Sequence, residues 1–327
     1  MTGFAYPALP GFDPPFGLRH RHIQSMLGGS PLRRMIVRRH AADFVKRSAA
    51  KLLELDGGVR LLGLYTEHAR PRGLVVMLHG WEGCADSNYM LSVGSSLYAA
   101  GFSVFRLNFR DHGDTQALNE QLFHSCRIEE VVSAVAAIQS EHAERPISLL
   151  GFSLGGNFAL RVASRAPRAG IELAKVLAIC PVLRPHHTMK ALDEGLWVYR
   201  EYFLRRWSRS LEAKARAFPR IYEFGDLRRF RKLSGMTEFF VLNYTEFESL
   251  DAYLNGYSIT GPVLEGLTVD STVIATDDDP VIPARDLDEL AGSAKLTVYR
   301  LERGGHCGLV DTYKLSSWID SALLNLL

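Results

Sequence analysis

No apolar run in this chain approaches the roughly 18 residues that a membrane-spanning helix requires. The first residues, Met-Thr-Gly-Phe-Ala-Tyr-Pro, lack a charged stretch leading into an apolar one, so no secretory signal is expected. Charge of one sign is also missing. The 38 basic and 36 acidic side chains nearly cancel, and a formal net charge of +2 excludes a molecule built as a whole to bind nucleic acid. Cysteine is scarce. Cys84, Cys126, Cys180 and Cys307 are widely scattered and form no Cys-x-x-Cys pair, which argues against a structural zinc site. A chain of 327 residues needs no disulfides to hold a core, so the thiols are expected to be reduced and the protein cytoplasmic. No internal repeat or low-complexity segment occurs. What is present is 47% apolar residues against 23% charged, the balance of a globular protein with a substantial core.

Three composition changes divide the chain. Residues 1–42 form a basic N-terminal arm rich in Pro, Gly and Arg. Arg19, Arg21, Arg33, Arg34, Arg38 and Arg39 fall within it with no Asp or Glu between residues 19 and 39. The arm reads either as a peripheral contact for anionic lipid or nucleic acid, or as a solvated segment wrapped over the domain; the second reading is preferred. From residue 43 strands and helices alternate. Asp43–Leu55 and Val59–Glu67 read as a hairpin around Asp56-Gly57-Gly58. Gly73–Leu78, Phe102–Leu107, Ile147–Leu150 and Lys175–Ile179 read as buried strands, with helices over Ser87–Ala100, Ser125–His142 and Leu154–Ala166. The alternation then stops. Residues 183–262 read as helical, aromatic and basic. It resumes with a strand at Ser271–Ala275, a helix near Ala284–Ala291, a strand at Ala294–Leu301 and a helix over Asp311–Leu326. The expected fold is α/β: a mostly parallel central sheet with helices on both faces. Its core is formed by residues 43–182 and 263–327. The 183–262 insertion is a helical cap over the carboxyl ends of the strands, where such sheets bind ligands.

The densest chemistry lies at Gly151-Phe-Ser153-Leu-Gly155-Gly156, between an apolar strand and an Ala-containing helix. Gly-x-Ser-x-Gly in that setting is a nucleophile elbow, in which the serine occupies a strained turn and side chains at 151 and 155 would collide with their neighbours. A serine hydroxyl is a weak nucleophile and needs a base, which in turn needs an orienting acid. His306, flanked by Gly304, Gly305 and Gly308 after the last strand, is the only one of the 11 histidines in such a loop. The acid is expected in Asp277-Asp278-Asp279-Pro280. Asp279 is favoured because a residue preceding proline is held extended; Asp277 and Asp278 stay open as alternatives. An oxyanion needs two amide donors, and these are expected at Leu154 and at Trp81 in His79-Gly80-Trp81-Glu82-Gly83. His79 reads as a histidine closing that loop. Asp111, His112 and Asp114 follow a strand, but the mechanism does not require them. Adjacent His186 and His187 do not share a helix face, which argues against a joint metal role. The cluster Trp197, Tyr199, Tyr202, Phe203 and Trp207 reads equally as cap packing or as an apolar wall for an acyl chain; Arg205, Arg206 and Arg209 read as a solvated face.

Taken together, these stretches resemble the YheT-like branch of the α/β-hydrolases, related to abhydrolase-domain lipases and medium-chain ester synthases/esterases. The similarity runs through Phe16–Gln24, His79–Gly83, Arg106–Gly113, Leu122–Ser125, Gly151–Asn157 and Asp278–Pro280, nearly the whole chain. It implies a serine hydrolase of carboxylic esters, in which Ser153, Asp279 and His306 align with the triad. The reading that follows is a small-molecule ester as substrate, with no cofactor and no nucleic-acid partner. Two others use the same residues: an acyltransferase delivering the acyl group to an alcohol, and a non-catalytic lipid- or partner-binding protein. The loop sequence His-Gly-Trp-Glu-Gly departs from the His-Gly-Gly-Gly of some lipases, which leaves the acyl pocket unspecified.

Overall fold

The computed structural model describes residues 9–327. Three helices come first, α1 (Arg21–Gly28), α2 (Pro31–His40) and α3 (Ala42–Lys46), followed by strands β1 (Ala49–Glu54), β2 (Arg60–Thr66) and β3 (Leu74–Leu78). Then come α4 (Asn88–Ala99), β4 (Ser103–Leu107), α5 (Ile128–Glu141), β5 (Ile147–Phe152), α6 (Leu154–Arg165) and β6 (Leu173–Ile179). Four helices, α7 (Pro185–Glu194), α8 (Trp197–Ala217), α9 (Leu233–Tyr244) and α10 (Leu250–Asn255), separate β6 from β7 (Ser271–Thr276). The chain ends with β8 (Leu296–Leu301) and α11 (Trp318–Ala322).

The eight strands form one sheet in the order β1-β2-β4-β3-β5-β6-β7-β8. The β1–β2 and β2–β4 pairs are antiparallel, and every pair from β4 to β8 is parallel. Burial on both faces explains the unbroken apolar run of β3. Leu74, Val76 and Leu78 join the core under α5 and α6, whereas Val75 and Met77 join the core under α4 and α11. All five are fully buried, and each contributes about 1.5–3 kcal/mol by leaving water. Among the described residues no helix is long and apolar enough to cross a membrane.

Three expected elements differ. The chain before β1 is not strand: Ala42–Lys46 is helical, because Phe44 docks into the core against Gly94 and under the Arg106 guanidinium. Residues 284–289 form a 3-10 helix rather than an α-helix, starting after Pro283. The last helix begins at Trp318 instead of Asp311. The preceding residues turn back instead, with Val310 bridging Ser317 and Ser316 bonding Asp311.

The helical segment after β6 is fastened to the core by a buried ion pair. Lys214 of α8 is fully buried, and its Nζ donates to Asp111 Oδ1 at 2.8 Å and to the carbonyls of Gln116, Asn119 and Gln121. Asp111, which the mechanism does not require, is therefore an anchor; it also accepts from the Phe123 amide. Lys214→Met should destabilise the fold by about 3–5 kcal/mol, since it strands a buried carboxylate. Urea unfolding of the two proteins measures this, and a difference below about 1 kcal/mol would contradict the anchoring role.

Candidate active site

Ser153 stands between β5 and α6 with φ 53° and ψ −116°. A non-glycine residue in that region costs on the order of 1–3 kcal/mol, so its surroundings must enforce it. They do so by leaving no room. A Cβ on Gly151 would lie 2.1 Å from the Gly155 carbonyl oxygen, and one on Gly155 would lie 2.2 Å from that of Leu78. The Ser153 amide donates to Ile179 O at 2.8 Å, tying the turn to β6. Asn157 donates from its Nδ2 to Val182 O and Tyr257 O, holding the first turn of α6 against the following loops.

His306 reaches the serine from the loop after β8. Its Nε2 lies 2.9 Å from Ser153 Oγ, and its Nδ1 lies 2.8 Å from Asp279 Oδ2. The carboxylate can only accept, so Nδ1 carries the proton and Nε2 presents its lone pair to the hydroxyl. Asp279 Oδ1 accepts from the Val281 and Ile282 amides, which fixes the carboxylate plane. The other two aspartates turn elsewhere. Asp277 pairs with Arg300 at the surface, and Asp278 Oδ1 accepts from the Gly305 amide. Burial alone pulls the His306 imidazole down, but the charge of Asp279 and its hydrogen bond outweigh it, and the net shift is upward from 6.5.

Leu154 and Trp81, where the two oxyanion donors are expected, both line the same cavity as Ser153. Leu154 is the first residue of α6, so its amide is one of the helix's unpaired donors. Among the described residues the Trp81 amide has no acceptor. The loop carrying it is pressed on Ser153, since a Cβ on Gly80 would come 3.3 Å from Ser153 Cβ. His79 and His112 hold that loop: Phe109 N donates to His79 Nε2, and Glu82 N donates to His112 Nε2. Burial depresses both imidazoles, His112 to about 4, so they remain neutral.

The arm belongs to the site, a role its sequence does not announce. Ser25 Oγ accepts from the His306 amide at 2.8 Å, and Gln24 bonds both the amide and the carbonyl of Val310. Gly305 and Gly308 are required here, because a Cβ on either would meet a backbone oxygen of α1 at 2.4 Å. His22 meets Tyr199 Oη at 2.9 Å, joining α1 to α8. No local pattern could have revealed this, because Gln24 and Val310 are 286 positions apart.

A cavity of about 560 Å³ opens beside Ser153 and His306. Tyr199, Tyr202, Phe203 and Trp207 of the aromatic cluster line it, with Phe240 and Tyr253 from later helices; Trp197 is exposed instead. Trp81 stacks on Phe203 with centroids 5.0 Å apart. His186 and His187 face different carboxylates, Asp251 and Asp286. One group of potential metal ligands converges among the described residues. The ligand atoms of Cys180, His306 and Cys307 lie within 4.8 Å of one another, but both His306 nitrogens are already engaged by Asp279 and Ser153.

The sequence pattern of the α/β-hydrolase fold matches residues 73–313. The chain belongs to the α/β-hydrolase fold family. Within the family it is YheT-like, being 22% identical to the Escherichia coli protein YheT, named as an esterase, over 265 residues, 78% of this chain and 75% of YheT. Among solved structures, an esterase of Pyrococcus furiosus superposes with a TM-score of 0.55 at 14% identity, covering 85% of this chain and 92% of the other. A bacterial membrane phospholipase A superposes with a TM-score of 0.57 at 16% identity, covering 89% and 87%. At such identities the structural likeness shows the shared fold. The relatives place the α/β-hydrolase chain among esterase- and lipase-like enzymes and support hydrolase activity.

Proposed function

We propose that this α/β-hydrolase cleaves carboxylic esters through an acyl-enzyme on Ser153. One observation carries the reading: a single imidazole is bonded to the elbow serine through one nitrogen and to a fixed carboxylate through the other. His306 removes the Ser153 proton as Oγ attacks the ester carbonyl. The developing oxyanion is met by the Leu154 and Trp81 amides. His306 then protonates the departing alcohol, and the cycle repeats with water to release the acid. Asp279 keeps the proton on Nδ1 and stabilises the imidazolium. None of these steps calls for a cofactor.

The cavity supports the class of acyl group. Its volume falls inside the roughly 300–1,000 Å³ of small-molecule pockets, and its aromatic lining favours an apolar chain. A medium-chain or lipid-derived acyl group fits this reading better than acetyl. Turnover of p-nitrophenyl esters from acetyl to long-chain acyl should peak at medium length, because each additional buried methylene adds about 0.8 kcal/mol until the cavity is full. Turnover of none of these esters, by protein that is folded, would overturn the proposal.

A further inference from the structure

The loop that carries the Trp81 amide has no helix or strand from Gly80 to Ser87, and two of its residues are glycines, which have the widest backbone range. An amide that meets a developing negative charge has to be held in place before the charge forms. The Gly80 carbonyl is one anchor. It accepts from the Gly83 amide at 2.9 Å and from His79 Nδ1 at 2.8 Å; Nδ1 carries the ring proton because Nε2 accepts from the Phe109 amide. The Trp81 N–H shares a planar trans peptide with that carbonyl and points the opposite way. Those bonds alone leave Gly80 a hinge. Its amide closes the hinge by donating at 2.9 Å to Tyr89 Oη, its one acceptor among the described residues. Tyr89 is the second residue of α4, and its half-buried ring packs on Phe152 with centroids 4.7 Å apart. The loop folds over the hydroxyl, since a Cβ on Gly83 would lie 2.6 Å from Tyr89 Oη. The same hydroxyl bonds the Ser87 side chain, whose Oγ accepts from the Cys84 amide, so both ends of the loop are tied to it. Burial pushes the phenol above its ordinary range, and it stays neutral.

We propose that Tyr89 is a positioning residue of the reaction: its hydroxyl, offered from a rigid helix, occupies the Gly80 amide and so directs the Trp81 amide at the oxyanion. The inference rests on the ester-hydrolase reading of the same site and names what arranges that site in advance. Tyr89 and Ser153 line one cavity with Gly80 between them, where a Cβ would meet Ser153 Cβ at 3.3 Å and Tyr89 Oη at 3.5 Å. The tyrosine therefore acts through the loop rather than on the substrate. Removing its hydroxyl leaves the buried Gly80 amide unpaired, a costly state that the loop relieves by turning at the glycine. The Trp81 amide turns with it.

The test compares the parent with Tyr89→Phe, which deletes one oxygen and keeps the ring on Phe152. Turnover of p-nitrophenyl octanoate is counted per active site titrated with a fluorophosphonate, so misfolded protein drops out. Losing an oxyanion donor outright costs about 10²–10³-fold in kcat; a donor left in place but no longer held should cost about 10–10²-fold, with KM within about two-fold. Two ketone inhibitors separate this from a loss of general fit. Octyl trifluoromethyl ketone takes Ser153 Oγ at its carbonyl carbon; the carbonyl electron pair moves onto oxygen, the proton passes to His306, and an oxyanion results. Octyl methyl ketone binds without adding. Tyr89→Phe should weaken the fluorinated ketone by the factor lost from kcat/KM and leave the methyl ketone within about two-fold. Ser87→Ala, which removes the group that the hydroxyl meets, should show the same pattern at a few-fold. Parental kcat in Tyr89→Phe, equal weakening of both ketones, or a fall in kcat with undiminished binding of the fluorinated ketone would overturn the assignment while the hydrolase reading stands. If Tyr89→Phe yields no titratable site, Ser87→Ala decides on the same criteria. A folded parent that neither turns over the ester nor binds the fluorinated ketone would sink the hydrolase reading and the assignment with it.

Discussion

Ser153→Ala should lower kcat on a medium-chain ester by about 10⁶-fold while leaving the unfolding midpoint within a degree or two of the parent. The magnitude follows from how the residues act together. With no Oγ to attack, the base and its orienting acid have nothing to activate, and what survives comes from binding and the two amides alone. The fold should tolerate the change, because the turn is enforced by the glycines at 151 and 155 and by the Ser153 amide, all of which remain. Steady-state kinetics beside thermal unfolding measures both quantities. A variant retaining more than about one percent of parental kcat would require a different nucleophile.

Asp279→Asn should reduce kcat by about 10⁴-fold, far more than an exposed hydrogen bond could account for. An amide in place of the carboxylate can donate to His306 Nδ1, which moves the ring proton to Nε2 and hides the lone pair that Ser153 needs. The pH profile provides the diagnostic signature. In the parent, the protonated imidazole is the inactive form. Because the charge of Asp279 outweighs burial and raises the His306 pKa above 6.5, activity should climb through a midpoint on the alkaline side of 6.5. Without that charge burial dominates, and the midpoint of the residual activity should move to lower pH. Rate–pH profiles of the two proteins decide this, and an unmoved midpoint would mean that the carboxylate does not govern the base.

The parts of this molecule that the sequence foreshadows are those imposed by local physics. Gly151 and Gly155 are forced by backbone oxygens little more than 2 Å from where their Cβ atoms would lie, and β3 is uniformly apolar because both of its faces are covered. Helix and strand periods therefore outline the core, and the turn residues mark the site. What the sequence conceals is decided by partners distant along the chain. Ala42–Lys46 carries Phe44 and Val45, residues that suit a strand, but docking of Phe44 against α4 makes the segment helical. Of the three aspartates after β7, the sequence favours Asp279 only through the proline that follows it, whereas in the fold Arg300, Gly305 and His306 each bind a different one. Gln24 and Ser25 carry no motif that links them to His306. Lys214 reads as one more cation in a basic helix, although it is the most deeply buried charge on α8.

The central claim is that Ser153 is made nucleophilic by His306. Reaction with a fluorophosphonate probe, followed by mass spectrometry of the labelled peptide, tests it without any assumption about the substrate. The account predicts one adduct, on Ser153, which disappears in Ser153→Ala and forms far more slowly in His306→Ala. A folded parent that takes up no label, or one labelled at another residue while Ser153 stays free, would contradict it.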